Sequence, residues 1–353
     1  MAIKILSINE CHSDNLGDQA ISKSINYIFN KNNCVVINAD YSCSQNIKYN
    51  NISSLNKNKS KFNLLKKIKA LKFIKWAVFN YRYIMNESMK DVDFAVIGGG
   101  QLILSNSHFP ISIFLWTFFL SIYKKNIYLY SVGCGEKFSF IERILIKYSL
   151  KKVKIIFVRD QDSKDKLKLI FNIDSIIIPD VAYALFKNDN YIKDNFCVLG
   201  VVDYNVYNRY KREINRYYST RNDYYNSWID EINEINCQEI ILSSTTLSDR
   251  DESISFYEYA KDKTNKKLTL ISKLQTLDEY FDLLSKSSFV ISGRMHSLIL
   301  GECYHCSVIP WFISKKIISY QKERNHRNIN LSYQMLDSAV KKVLDNETKN
   351  NNI

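Results

Sequence analysis

Short apolar runs recur along the chain, each closed by a loop of Gly, Asp, Asn or Ser and followed by apolar residues at helical spacing. This alternation constrains the fold more than any single motif, because strands separated by helices pair in parallel and need cover on both faces. Lys4 to Ile8 opens the series and ends in NECHSDNLGDQA, after which Ala20, Ile21, Ile25, Ile28 and Phe29 fall on one helical face. Val35 to Ile37 is a second strand. Phe94 to Ile97 runs into a triple glycine, Ile127 to Tyr130 into SVGCGE, Ile155 to Val158 into RDQDSKDKL, and Ile176 to Ile178 into PDVAYAL. After a polar gap near Lys187 to Asn195 the rhythm restarts with CVLGVVD, EIILSST, LTLIS, FVISG and CSVIPWF, with helical stretches between them. The pattern predicts an α/β chain of two Rossmann-like, doubly wound domains, 1–190 and 191–353. A length of 353 residues agrees, since single cores stop growing at about 250–300 residues.

Apolar residues make up 46% of the chain and charged residues 24%, and only three prolines and nine glycines leave little room for linkers. The formal charge of +13 suits anionic partners, or else reports lysine-rich solvated faces. Eight cysteines, in a chain whose opening MAIKILSINE lacks the pattern of a secretory leader, point to reduced thiols and a cytoplasmic protein. The longest apolar run, Ile111 to Tyr123, has 13 residues against about 20 needed to cross a bilayer, and reads as a buried helix. Cys303, His305 and Cys306, even with Cys11 and His12 upstream, match no zinc-ligand spacing, so no metal is expected.

Two tracts stand outside the alternation. Asn46 to Ser60 is an Asn, Lys and Ser stretch without apolar period and reads as a surface insertion. Phe62 to Tyr83 interleaves lysines with leucine, phenylalanine and tryptophan as a basic amphipathic helix or helix pair. That composition suits peripheral contact with an anionic membrane, at the inner face of the cell membrane, better than phosphate tracking along a nucleic acid. Equally, the helix packs on the sheet with its lysines in water.

In open parallel sheets ligands bind beyond the carboxyl ends of the strands. Several special segments fall there. In DNLGDQAI, Asn15, Gly17 and Asp18 open a helix; Asp18 also fits an ordinary first helical turn. IGGGQLI, with Gly99, Gly100 and Gln101, lets backbone approach a ligand, yet it is neither a Walker loop nor a dinucleotide fingerprint. SVGCGE, with Gly133 and Glu136, is a second glycine turn. Arg159 ends a strand, as a ligand clamp or as the partner of a neighbouring aspartate. The sharpest segment is SGRMHS: Arg294, His296 and Ser297 lie between a buried strand and a buried helix, where helix N–H groups plus Arg294 make an anion site and His296 is placed to hand over a proton.

Taken in order, NLGDQAI, VIGGGQLI, SVGCGE, VRDQDS, PDVAYAL and SGRMHSLILGECYHCSVIPWFISKK span residues 5 to about 320, and with them the chain resembles the polysaccharide pyruvyl transferases. The resemblance implies two Rossmann-like domains facing a cleft, similar to the glycosyltransferase B type. It implies phosphoenolpyruvate as co-substrate, with no cofactor, and a glycan or lipid-linked glycan as acceptor, the product being a pyruvate ketal. It puts Arg294 and His296 on the donor and Arg159 on the same anion. Lys315 or Lys316 corresponds to a lysine after the last strand. Ketal formation needs a general acid, cations for a carboxylate and a phosphate, and a base for the hydroxyls; His296 fits the acid and Asp18 the base. Ser297 is expected beside the donor, and Asn15, Gly17, Gly99, Gly100, Gln101, Gly133 and Glu136 toward the substrates. The insertion at Asn46 to Ser60 and Cys134 depart from the family pattern. The rival readings are a glycosyltransferase of the same build, for which the segment after Gly301 offers only Glu302 to a ribose, and a non-catalytic basic protein at a membrane surface.

Overall fold

The structure, a computed structural model, describes residues 2–44, 69–106, 108–326 and 328–351. The Asn46 to Ser60 tract and the first part of the basic segment, 62–68, lie outside the described residues. The chain forms two compact units. One comprises Met1–Ser13, Ile21–Ala184 and Ser332–Ile353, the other Asp14–Ala20 and Leu185–Leu331.

The first unit holds strands β1 (Ile3–Asn9), β2 (Cys34–Asp40), β3 (Phe94–Gly98), β4 (Asn126–Val132), β5 (Ile155–Val158) and β6 (Ile176–Ile177). They pair in parallel in the order β2-β1-β3-β4-β5-β6, which reverses direction between β1 and β3. Its helices are α1 (Leu16–Lys31), α2 (Lys69–Ser88), α3 (Phe109–Ile122), α4 (Phe140–Leu150) and α5 (Gln161–Lys166), the first turn of α1 being counted with the second unit. The connections through α2, α3 and α4 all step the same way across the sheet, so right-handed crossovers set these helices side by side on one face. The connection through α1 steps the other way and covers the opposite face.

Local chemistry explains these elements. Helix α3 carries Pro110 in its first turn and is buried over most of its length, as a helix apolar on all sides must be. The carbonyl of Tyr41 accepts hydrogen bonds from Ser112 Oγ (2.6 Å) and Trp116 Nε1 (3.2 Å), which satisfies the polar atoms of that helix inside the core. Helix α4 starts with a capping box in which Ser139 and Glu142 exchange hydrogen bonds.

The second unit holds β7 (Asp194–Gly200), β8 (Glu239–Leu242), β9 (Lys267–Leu270), β10 (Ser287–Ser292) and β11 (Ser307–Pro310). They pair in parallel in the order β11-β10-β7-β8-β9, so the switch point lies between β7 and β10. Helices α6 (Tyr204–Ile214), α7 (Arg221–Glu234), α8 (Leu247–Ala260), α9 (Leu277–Lys286), α10 (Met295–Cys303) and α11 (Lys315–Arg324) connect and flank them. A threonine caps the start of α7, α8 and α9 by accepting from the backbone three residues on.

The last helix, α12 (Ile329–Asn351), belongs from Ser332 onward to the first unit. There Tyr130 donates to the Leu336 carbonyl (2.7 Å), Asn126 to Glu347 (3.1 Å), and Asn32 to Asp337 (2.9 Å). A boundary near residue 190 anticipates neither this return nor the assignment of Asp14–Ala20 to the second unit. Among the described residues no helix is long and apolar enough to cross a membrane.

Candidate active site

At the switch point of the second sheet, β10 ends in Ser292 and Gly293, and Arg294 caps α10 with an extended backbone. The N–H of Arg294 donates to Ser292 Oγ (3.0 Å). A Cβ on Gly293 would lie 2.9 Å from Val202 and 3.3 Å from the Trp311 carbonyl, so only glycine lets the strand ends close together here. The Arg294 guanidinium forms a two-pronged pair with Asp249: Nε to Oδ2 and Nη2 to Oδ1, both 2.7 Å. Asp249 itself sits in the first turn of α8, buried, and its Oδ1 also accepts from the Asp203 N–H (2.9 Å). Burial works against the charge on Arg294, but the hydrogen bonds and negative charge of Asp249 outweigh it and raise the guanidinium above its ordinary range. Asp249 therefore fixes one edge of a permanent cation, with Nη1 outside the pair.

His296 lies in the first turn of α10, partly exposed, and packs on the other motif of this unit. A Cβ on Gly17 would come within 2.5 Å of His296 Nδ1 and 2.9 Å of its Cβ and Cγ. Only glycine accommodates the imidazole there. The turn carrying Gly17 is itself pinned: the Leu16 N–H donates to the Thr245 carbonyl (2.9 Å), and Asn15 Oδ1 accepts from the Gly17 N–H (2.9 Å). Asp18, partly exposed, follows in the same turn. NLGD and GRMH are thus two halves of one arrangement.

Ser297 and Glu302 are committed elsewhere, whereas Lys315 and Lys316 keep exposed side chains. Ser297 is buried, with its hydroxyl 2.6 Å from that of Tyr280, so it serves the packing of α10 on α9. Lys315 and Lys316 are exposed in the first turn of α11, and the Lys315 N–H donates to Glu213 (3.2 Å). Glu302 is buried and paired with Arg324 at 2.5 Å. His305 Nε2 lies 3.1 Å from the Lys187 carbonyl, and Cys306 Sγ contacts the carbonyls of Leu284 and Ser287 at 3.2 Å. These contacts give the CYHC segment a structural role.

The first unit gathers the remaining motifs around Arg159. Arg159 is 5% exposed; its Nη1 donates to Asp180 (3.1 Å) and its Nε lies 3.4 Å from Asp160. Asp180 also accepts from the Ala182 N–H (3.1 Å). Gly133 forms the floor, since a Cβ there would lie 3.0 Å from Arg159 Nε and Nη2. The two glycine turns, expected to offer N–H groups to a ligand, spend them on each other: Gly99 donates to Tyr130, Gly133 to Gly100 and Gly135 to Ile103, each at 2.8 Å. Cys134 N–H goes to Ser163 Oγ (2.9 Å). Glycine is required at 99 because φ is +72° and a Cβ would sit 2.0 Å from Ile21 Cγ2. Gly100 has φ of +69°, Gln101 is partly exposed, and Glu136 is exposed with Lys166 at 3.4 Å. Burial pushes the Cys134 thiol up to about 12, which keeps it protonated and inert at neutral pH.

Asp249 and Asp180 are the residues that sequence reasoning missed as site members. Thr246, three residues before Asp249, is the local signal of a capped helix start, but it does not announce a partner for an arginine 45 positions away. Asp180 lies inside PDVAYAL, and nothing local couples it to Arg159.

No curated protein matches the chain in sequence. Among solved structures, it is similar to UDP-GlcNAc 2-epimerase from Methanocaldococcus jannaschii at 12% identity and a TM-score of 0.53, over 98% of this chain and 99% of that one. It is also similar to UDP-GlcNAc 2-epimerase from Neisseria meningitidis, solved bound to UDP-GlcNAc, at 11% identity and a TM-score of 0.50, over 98% and 100%. At such identity the likeness speaks for the fold, two parallel α/β units of the glycosyltransferase B kind. The family model for polysaccharide pyruvyl transferase matches residues 15–312, a span that holds Asp18, Arg159, Asp249, Arg294 and His296. The chain belongs to the polysaccharide pyruvyl transferase family.

Proposed function

We propose that this protein moves the pyruvyl group of phosphoenolpyruvate onto two hydroxyls of one sugar, in a cell-surface polysaccharide or its lipid-linked precursor. The observation that carries the reading is the pairing of a proton-transfer group, His296 seated on Gly17, with a cation fixed by Asp249, Arg294, two residues apart at a switch point. In the first step His296 delivers a proton to the methylene carbon of the donor, and positive charge develops at the neighbouring carbon as the first hydroxyl attacks. A second hydroxyl of the same sugar then displaces phosphate and closes the ketal. Arg294 holds the donor anion through the edge that Asp249 leaves open. Asp18, one residue beyond the glycine that His296 touches, is the base for the attacking hydroxyls. Lys315 and Lys316, exposed after the last strand, add positive charge for the phosphate. This chemistry calls on no metal or nucleotide, because these side chains supply the proton and the counter-charge.

Arg159 is better suited to bracing than to binding, since its charge already faces Asp180. The cytoplasm suits the reaction: the donor is a metabolic phosphate ester, and the eight cysteines carry no disulfide. Conversion of His296→Ala is expected to lower kcat by about 10²–10⁴-fold, while phosphoenolpyruvate still protects the variant against thermal unfolding. Undiminished turnover would remove His296 from the mechanism. Protection by UDP-sugars instead of phosphoenolpyruvate would replace the pyruvyl reading with a glycosyltransferase.

A further inference from the structure

The geometry points to a membrane-docking face built from α2, α3 and α4 of the first unit, which takes an anionic lipid surface. These three helices share one side of the sheet, and their inner stripes form its core: Phe73, Trp76 and Ile84 from α2, Trp116 and Leu120 from α3, Ile146 and Leu150 from α4. Their outer sides are also apolar. On α2, Leu71, Ile74 and Val78 recur at helical spacing, with Ile74 59% and Val78 61% exposed. On α4, Phe140 is 79% exposed, and Ile141, Ile144 and Tyr148 follow on the outside. Helix α3 joins them through Phe114, whose ring lies 5.9 Å from Phe118 and 5.4 Å from Tyr148.

Among the described residues, the exposed charges along these three helices have one sign. Lys72, Lys75 and Arg82 flank the apolar stripe of α2, and Arg143, Lys147 and Lys151 are exposed along α4. Helix α3 carries no charged residue. The one acid of α4, Glu142, is turned inward, where it accepts from the Ser139 N–H (2.7 Å) and Ser105 Oγ (2.9 Å). Glu87, in the last turn of α2, is paired with Lys90 at 2.6 Å. Large exposed apolar groups with exposed lysines and arginines beside them match the boundary between acyl chains and anionic headgroups, where the first are buried and the second are neutralised. The face joins the described part of the basic segment, 69–83, to the outer side of α4.

The test is co-sedimentation of the full chain with vesicles of phosphatidylcholine alone and of phosphatidylcholine mixed with phosphatidylglycerol. Binding is expected to the mixed vesicles, weakening as salt rises. Phe140→Ser combined with Ile144→Ser should weaken it roughly tenfold or more, and Lys75→Gln combined with Lys147→Gln should do the same at low salt. All four positions are exposed, and unchanged thermal unfolding of each variant shows that folding is not the cause. No sedimentation with anionic vesicles overturns the inference, as does equal binding by both variants. A concentration-dependent dimer that Phe140→Ser dissolves would instead make this face a contact between two copies. Turnover of phosphoenolpyruvate with a soluble acceptor is read separately, so failure of the donor assignment leaves the vesicle result standing.

Discussion

In the first unit Arg159 meets Asp180 with 4% and 6% of their side chains exposed, whereas in the second Arg294 meets Asp249 through two bonds of 2.7 Å and keeps 28% exposed. Both arginines follow a strand, and both face an aspartate. Arg159 is enclosed by Gly133 beneath it and by two carboxylates, so its charge is consumed in holding the glycine turns to the PDVAYAL segment. Arg294 is anchored along one edge only, so its rotamer is settled before any ligand arrives and its remaining face is open to one. The first pair is closed in by protein, whereas the second is buried on the aspartate side alone and leaves part of a pre-set cation exposed.

The largest effect that can break this contrast is on stability. Asp180→Ala should cost about 3–5 kcal/mol in urea unfolding, because it strands a buried guanidinium, and Arg159→Met with Asp180→Leu should recover most of the loss. If that double variant folds well but its KM for phosphoenolpyruvate rises sharply, Arg159 binds donor and the contrast fails.

Two histidines extend the comparison. His108 stacks on Trp76 at 4.9 Å and 4°, and burial lowers it from an ordinary 6.5 to about 4. Between those values the unfolded chain binds a proton that the folded chain refuses. The contribution of His108 is therefore complete above pH 6.5 and is lost as pH falls toward 4, by roughly 3 kcal/mol. His108→Phe should flatten that part of the stability profile; an unchanged slope would assign it to carboxylates.

The smallest effect probes the floor under His296. Gly17→Ala sets a Cβ where the imidazole stands and should lower kcat about tenfold with a lesser change in donor affinity. Equal turnover by the alanine variant would show that the seat on Gly17 does not set the position of His296.

Much of the fold was legible. The strand runs beginning near Lys4, Phe94, Ile127, Ile155, Phe289 and Ser307 all became strands, because period and burial are local properties that neighbouring residues report. The helix expected across Ile111 to Tyr123 formed at Phe109–Ile122. Helices α6, α11 and α12 were not read from the sequence; α6 and α11 are polar on most of their surface, and α12 docks by burying Leu336, Ala339, Val340 and Val343 and by hydrogen bonds with Tyr130 and Asn126, partners far upstream in the chain. At the site, Arg294, His296, Gly17 and Asp18 were legible as unusual residues at strand ends, but the seating of His296 on Gly17 was not.

By itself the sequence determined the alternation of strands and helices, the starts of capped helices and the family motifs, since each is written within a few consecutive residues. Tertiary structure alone decided which aspartate meets which arginine, which N–H groups the glycine turns keep for each other, and that Gly17 lies beneath His296. Those outcomes depend on the register between elements far apart in the chain, and on which charges folding removes from water.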